Sequence, residues 1–344
     1  MILSAALRQA EQKLAAESID SPALDARLLV EHALGLDRTA LFSQSQRLLT
    51  ETESQNIDTL ISRRAAHEPV ARIIGMREFW SLPFGINEAT LEPRPDSETL
   101  VETVLKLLRQ VDEVGNGGVS PPLAGGMKGG LIDTGDLLTN PPPSPPVRLR
   151  QEASARPDAN RVEAQRRRAS GRGAETIHLL DLGTGTGCLL LSLLHELPNA
   201  SGMGIDFAPR AVEQARENAT RLDLTQRVTF KTGNWLDNIT GTFDVILSNP
   251  PYIPAAEIPS LMPEVREHDP IAALDGGDDG LDVYRHLIPR LRPFLNPKGF
   301  VIFEVGQGQA DAVAALCSTN GFTNVSKYRD FNQIERCVTA FNPS

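Results

Sequence analysis

The sequence predicts an α/β protein: a doubly wound, mostly parallel sheet of seven strands, preceded by a small helical bundle. Three observations predict it. From residue 176 to the end of the 344-residue chain, short apolar runs alternate with segments of helical period, the pattern of strands joined by crossover helices. Over residues 1–75 apolar positions recur three and four apart, with no strand-like run. The first apolar run of the C-terminal part, HLLDLG, opens through a glycine-dense turn straight into a helix, as ligand-binding sheets of this class do.

The N-terminal segment reads as short helices. Leu3, Leu7 and Leu14 mark one apolar stripe, and Leu24, Leu28, Leu29, Ala33 and Leu34 a second. Ser21-Pro22 has the form of a cap followed by proline at the first helical position. Asp37 is placed to cap the next short helix, and Thr50 the one that runs through Leu60. Bundles of this kind serve partner recognition or simply stabilise their neighbour. Residues 76–96 change texture: aromatics, proline and glycine predict a hairpin linker between two domains. Asp96 then stands where it could cap the helix SETLVETVLKLLRQV. Residues 112–175 hold clustered glycines, the run PPPSPP and an arginine-rich stretch around Arg166, Arg167 and Arg168. Such a composition buries no core, and it predicts a disordered insertion inside a second domain spanning 97–344.

In that second domain HLLDLG, SGMGIDF, VTFKTGNW, FDVILSNPP and GFVIFEVG read as strands one to five. CLLLSLLHEL is apolar on all sides and predicts a fully buried helix; PRAVEQARENATRL is the next one. A helix is expected from Asp282 to Leu295, bent or ended by Pro289 and Pro293, and another from Gln309 to Thr319. TNVSKYRDF and ERCVTAF close the sheet as two further strands, and a closing hairpin would make the last one antiparallel.

Apolar residues are 40% of the chain and its formal net charge is −10. An acidic balance argues against a surface built to neutralise phosphates, so no direct nucleic-acid partner is expected. Three scattered cysteines, Cys188, Cys317 and Cys337, have neither metal nor redox spacing, which points to a reducing, cytoplasmic setting. Six histidines form no HxxH or HExxH pattern, so no metal is expected. MILSAALRQAEQKL is too charged for a signal peptide, and no stretch reaches the roughly 20 apolar residues of a membrane span. A soluble monomer is the expectation.

Two constellations carry chemistry. The first is Gly183-Thr184-Gly185-Thr186-Gly187, between strand and helix. A dinucleotide turn requires G-x-G-x-x-G. Here the third glycine comes one residue early and Cys188 takes its place, a spacing that suits a nucleoside without a pyrophosphate. Asp206 ends the second strand 19 residues after Gly187, where a carboxylate can accept hydrogen bonds from both ribose hydroxyls. It could also cap the helix that begins at Pro209. Trp235 is placed to pack beside an adenine ring, or to serve as core. The second constellation is Asn249-Pro250-Pro251-Tyr252 at the end of strand four. Two prolines fix the backbone and remove two donors. The Pro250 carbonyl and the Asn249 side-chain oxygen remain as acceptors, with the flat Tyr252 ring beside them. That set suits a planar –NH2 group, an amide or an exocyclic base amine. Of the remaining residues, Glu304 stands to line the pocket or cap a loop, Arg94 and Glu98 to form an ion pair, His268 to lie on a surface loop, and Cys188 to fill core.

With REFWSLPF (77–84), EPRPDSETLVE (92–102), DLGTGTG (181–187), Asp206, NW (234–235), NPPY (249–252) and VREHDPIAAL (265–274), nearly the whole chain outside the insertion resembles the HemK/PrmC family of release factor glutamine methyltransferases. The resemblance implies a class I S-adenosylmethionine-dependent methyltransferase, Rossmann-like, behind an N-terminal recognition domain. It implies S-adenosyl-L-methionine as methyl donor, held by Gly183 to Gly187, Asp206, Trp235 and Asn249. The substrate it implies is the glutamine of the Gly-Gly-Gln motif in peptide chain release factors 1 and 2, methylated at N5, with Asn249, Pro250, Pro251 and Tyr252 forming the amide pocket. The family's connection at 112–175 is usually short; the long insertion is this chain's departure. Asn-Pro-Pro-Tyr also resembles the motif of DNA adenine and some RNA guanine amine methyltransferases, which require a basic footprint that this acidic chain lacks. A degenerate, non-catalytic fold would show damage in one of the two constellations, and neither is damaged.

Overall fold

The computed structural model describes residues 1–115 and 176–343. The predicted disordered insertion therefore lies outside the described residues, apart from 112–115, which complete a helix rather than begin a loop.

Five helices form the N-terminal bundle: α1 (Leu3–Ala16), α2 (Pro22–Leu34), α3 (Arg38–Ser43), α4 (Glu51–Ala65) and α5 (Val70–Ile74). Their core is Leu3, Leu14, Leu29, Val30, Ile57 and Ile61 with smaller neighbours. The buried face of α2 is Ala26, Leu29 and Val30. Leu24 and Leu28 are only half-buried, at the edge of that face. Asp37 caps α3 by accepting the Ala40 N–H at 2.7 Å. Thr50 and Glu53 form a reciprocal capping box on α4, which satisfies two otherwise orphaned donors and carries the helix past Leu60 to Ala65. Ser21 stands at the cap position of α2 but makes no side-chain cap bond; Pro22 alone sets that start.

The predicted hairpin is β1 (Met76–Phe79) with β2 (Leu82–Gly85), paired antiparallel. It is more than a tether. Phe79 and Phe84 meet edge to face, 6.2 Å between ring centres, inside the core of the sheet domain. Residues 86–94 then pass through a turn in which the Thr90 N–H donates to the Asn87 carbonyl, before a 3-10 turn at Pro95–Ser97 and helix α6 (Glu98–Gly115). Asp96 lies inside that turn, whose cap position is Arg94. It pairs with Arg336 at 3.0 Å instead.

The sheet contains β3 (Ile177–Leu182), β4 (Ala200–Asp206), β5 (Val228–Thr232), β6 (Phe243–Ser248), β7 (Leu295–Glu304), β8 (Thr323–Arg329) and β9 (Glu335–Phe341), in the order β5-β4-β3-β6-β7-β9-β8. The first five strands in that order are parallel. β9 is antiparallel to both β7 and β8, as the closing hairpin predicts. Residues alternate between two cores: Leu179, Val245 and Ile302 face one, Leu180, Ile246 and Val301 the other. Helices α6, α7 (Cys188–Glu196) and α8 (Pro209–Arg221) cover the first face. α7 buries all six residues from Leu189 to Leu194, as its all-round apolar sequence requires. Two short helices, α9 (Pro263–Arg266) and α10 (Ile271–Leu274), follow β6; α11 (Asp282–Leu291) and α12 (Ala310–Thr319) cover the second face. α11 stops before its expected end: a 3-10 turn takes Arg292–Phe294 and Leu295 already begins β7. Pro293 sits in the first turn of that 3-10 segment and Pro289 is held inside the helix.

Charged groups join the two domains. Arg64 donates to Asp25 within the bundle at 2.7 Å and reaches Glu264 on α9 at 3.2 Å. Asp269, its side chain 2% exposed, takes Arg72 of α5 and Arg94 of the linker at 2.6 Å each. Removing the shared carboxylate would leave the buried Arg72 guanidinium short of its acidic partner. Asp269→Ala is expected to lower stability by about 3 kcal/mol, measured as a shift of the urea midpoint. An unchanged midpoint would assign the junction to apolar packing alone.

Candidate active site

Parallel pairing of β3 with β4 on one side and β6 on the other brings three strand ends together. Leu182 lies opposite Ile205 and opposite Ser248. This is where the strand order reverses, the place where open α/β sheets bind ligands. The Ser248 hydroxyl donates to the Leu182 carbonyl at 2.7 Å and so ties the second constellation to the first.

The glycine turn is pinned from three directions. Gly183 and Thr184 N–H both donate to the Ile205 carbonyl at 2.9 Å. The Thr184 hydroxyl donates to Asp181 Oδ2 at 2.6 Å. The Gly185 N–H donates to Asp206 Oδ2 at 2.8 Å. Gly183 has φ +74°, and a Cβ there would stand 3.3 Å from the Trp235 ring, so glycine lets the indole come this close to the turn. Trp235 lies beyond the end of β5, itself at φ +53°. Gly183 to Thr186, Asp206, Trp235 and Asn249 all line one pocket. Gly187 does not. A Cβ on it would meet Leu191, Phe230 and Ala215 within 3.3 Å, so its place is close packing behind the turn.

Asp206 is 8% exposed. Its Oδ1 accepts the Ala208 N–H at 2.9 Å, so it braces the loop before α8 rather than capping the helix, whose cap position is Ala208. Each oxygen keeps a lone pair for a ligand hydroxyl. Burial raises its pKa above the usual carboxylate value. Burial also pushes Asp181 up to about 7, against the lowering effect of the Thr184 hydrogen bond; its Oδ1 has no partner.

The linker supplies the opposite wall. Leu91, Pro93, Arg94 and Ser97 line the pocket together with Ala272 and Ala273 of α10. Arg94 pairs with Asp269, and Glu98 accepts the Trp80 N–H at 2.9 Å, so the expected Arg94–Glu98 ion pair does not form. Asn218 on α8, fully buried, exchanges two hydrogen bonds with the Gly85 backbone and donates to the Thr186 carbonyl at 2.9 Å. One amide thus ties the hairpin to the glycine turn.

Asn249 and Pro251 line the same pocket. The Asn249 Nδ2 donates to Ser97 Oγ at 3.2 Å. Pro250 is buried and Tyr252 half-buried, both outside that lining, and Tyr252 packs against the second core. The Tyr252 carbonyl accepts from Gln309 Nε2 at 2.9 Å, and its hydroxyl reaches Glu304 Oε1 at 3.4 Å. Gly276 comes so near that a Cβ there would stand 2.8 Å from the Tyr252 Cα, which closes the loop tightly around the tyrosine. Burial and the Glu304 charge raise the Tyr252 pKa, so the ring stays a neutral phenol.

Residues 5–75 match the family described as PrmC N-terminal domain, and residues 174–324 that described as Methyltransferase domain. A release factor glutamine methyltransferase of Bradyrhizobium diazoefficiens is 41% identical over 91% of this chain and 86% of its own length. The chain belongs to the release factor glutamine methyltransferases. Relatives of the same name from Rhodospirillum rubrum and Agrobacterium fabrum are 37% and 36% identical, over 99% and 98% of this chain and 85% and 96% of theirs. As a member of that family the chain is a methyltransferase of class I fold, with the helical domain in front. No group of histidine, cysteine or carboxylate side chains among the described residues could hold a metal ion. No helix among them is long and apolar enough to cross a membrane.

Reading the sequence of this methyltransferase missed three residues, Ser97, Asn218 and Asp269, and left Glu304 between pocket lining and loop cap. Ser97 and Asn218 give no local signal, since their partners lie 152 and 133 positions away. Asp269 stands inside VREHDPIAAL without a visible role. Glu304 does carry a signal, a carboxylate at the end of an apolar parallel strand next to the switch point. His268 is half-buried rather than on the surface, and its Nε2 is buried without a partner. Cys188 is half-buried at the pocket edge, its thiol pushed up to about 12 by burial.

The Asp181 carboxyl sets a pH dependence of stability. The unfolded chain releases this proton near pH 4 and the folded protein near 7, so stability falls as pH rises between those values and is flat above. Taking ligand-free protein from pH 8 to pH 6 is expected to raise the unfolding free energy by about 1 kcal/mol for this group. Asp181→Asn removes that part of the slope, as thermal melts at the two pH values would read.

Proposed function

We propose that this enzyme transfers the methyl group of S-adenosyl-L-methionine to the side-chain amide nitrogen, N5, of the glutamine in the Gly-Gly-Gln motif of peptide chain release factors. The observation that carries the reading is Asn249. It lines the pocket floored by the glycine turn, while its Nδ2 is engaged on Ser97, which leaves Oδ1 as the acceptor for a substrate N–H. A planar –NH2 needs two acceptors, and the Pro250 carbonyl is the second.

The residues fit the donor. A Cβ on Gly185 would meet nothing within 4 Å, so the turn presents open backbone to a ligand. Asp206 offers its free lone pairs to ribose hydroxyls, and Trp235 and Phe207 offer apolar faces for the adenine on the same pocket. Bound there, the donor supplies an electrophilic methyl on a sulfonium. The chain's own part is positioning. An amide lone pair is delocalised and a poor nucleophile. Asn249 Oδ1 and the Pro250 carbonyl, each accepting one N–H, hold the nitrogen with its lone pair towards the methyl and stabilise the positive charge that develops there. Tyr252, neutral because burial raises its pKa, supplies a flat face and no general base. The proton leaves after transfer, when the alkylated nitrogen is acidic. The helical domain, joined to this wall through Asp269, serves to hold the release factor.

Labelled S-adenosylmethionine offered with a release factor, with the same factor carrying alanine for the glutamine of Gly-Gly-Gln, and with duplex DNA tests the assignment. Label is expected on the intact factor alone; label on DNA would overturn the reading. Asn249→Ala is expected to lower kcat by about 10²–10³ with the fold intact by circular dichroism. Asp206→Ala is expected to weaken donor binding by about tenfold or more, the worth of a charge-assisted hydrogen bond, in a calorimetric titration.

A further inference from the structure

Resting on the function proposed above, we propose that Glu304 is a positioning residue that acts through Ser97 to set which end of the Asn249 side-chain amide faces the substrate, and through the Tyr252 hydroxyl to hold the ring beside it. Glu304 ends β7 with its side chain in the protein interior, 2% exposed. Its backbone is fixed by the Tyr284 hydroxyl, which donates to its carbonyl at 2.7 Å. The Tyr252 hydroxyl reaches its Oε1 at 3.4 Å, and the Ser97 hydroxyl also faces the carboxyl and favours its ionised form. Oε2 is buried without a partner. No apolar core needs such a group.

The argument turns on the one hydrogen of the Ser97 hydroxyl. A serine oxygen both donates and accepts. With its hydrogen free, Ser97 could donate to Asn249 Oδ1, and the amide would then present its NH2 to the substrate's own NH2, donor against donor. An ionised carboxylate only accepts. It claims the Ser97 hydrogen, so the Ser97 oxygen must accept, and Asn249 Nδ2 is the donor it accepts from at 3.2 Å. Oδ1 is thereby turned to the substrate. Glu304 touches no reacting atom; it decides the polarity of a residue that does.

The surroundings of Glu304 are mixed. Arg336 and the Cys337 thiol face it from β9, Asp96 from the 3-10 turn, Tyr252 from the loop after β6 and the Cys188 thiol from α7. Burial outweighs the lowering effects of Ser97, Arg336 and Tyr252 and pushes the carboxyl up to about 7. Ionisation therefore falls near neutral pH, and the competent form gains ground as pH rises.

The test uses the whole chain with a release factor as methyl acceptor, from pH 6 to pH 9, for the wild type, Glu304→Gln and Ser97→Ala. The wild-type kcat is expected to climb through about pH 7 and level off. In Glu304→Gln that climb disappears and kcat at pH 8 drops by about 10- to 100-fold, the cost of misplacing a positioned group. Ser97→Ala gives a similar drop although Glu304 is retained. Donor affinity by calorimetry is expected to hold in Glu304→Gln, since that side chain lies outside the pocket lining and Asp206 and the glycine turn are untouched. A second readout needs no turnover: the Asn249 side-chain NH2, followed by NMR hydrogen exchange in the donor-free protein, is expected to be protected at pH 8 in the wild type and to lose that protection in both variants. Wild-type kcat and pH profile retained in Glu304→Gln, or equal amide exchange in all three proteins, would overturn the positioning role. A wild type that labels no release factor would instead overturn the proposed substrate, and the exchange measurement would still decide the question of Glu304.

Discussion

Everything at this site depends on β3 being paired in parallel on both sides. The pairing stops at Leu182, opposite Ile205 and Ser248, so the chain must leave the sheet there in three places at once. Three departing loops expose backbone donors and acceptors that no strand satisfies. The structure settles most of them among themselves: two N–H groups of the glycine turn on the Ile205 carbonyl, one on Asp206, the Leu182 carbonyl on Ser248. The remainder, chiefly lone pairs on Asp206 and on the Asn-Pro-Pro-Tyr loop, is what a ligand can use. Prolines at 250 and 251 sharpen this remainder by removing donors where acceptors are required. The acceptor-rich polarity of this pocket thus follows from sheet topology.

The second support comes from outside the sheet. The linker between domains closes the pocket, and it is held by buried polar groups more than by length of contact. Asn218 takes the hairpin at Gly85; Asp269 takes the linker at Arg94 and the bundle at Arg72. Buried groups of this kind tolerate few alternative arrangements, because any other leaves a charge or an amide unpaired. They fix the angle at which the helical domain joins the sheet domain.

The parts of this fold that were legible in the sequence are those governed by local rules. Strand and helix alternation gave the sheet and its antiparallel last strand. The caps at Asp37 and Thr50 follow from a few consecutive residues, and so do the glycine turn and the Asn-Pro-Pro-Tyr loop. Asp206 was legible because strand ends in such sheets have a known use. The misses are all non-local. Asp96 reads as a cap, yet its partner is Arg336, brought in by the closing strand. Arg94 and Glu98 are close in sequence and part company, because buried Asp269 and the Trp80 backbone offer better partners. Gly187 reads as part of the cradle but serves the packing of α7 against α8 and β5. Ser97 is invisible without the fold that brings it to Asn249.

The wall formed by residues 89–97 has a consequence for how such a protein can be rearranged by gene fusion or recombination. A catalytic module is usually cut at the first strand of its sheet. Here that cut would remove Leu91, Pro93 and Ser97 from the pocket at the strand ends and strip Phe79 and Phe84 from the sheet's own core. The heritable unit is therefore larger than the sheet: hairpin, linker and catalytic fold must travel together. A breakpoint that spares the pocket falls before Met76, and even there it leaves Asp269 without one of its two arginines.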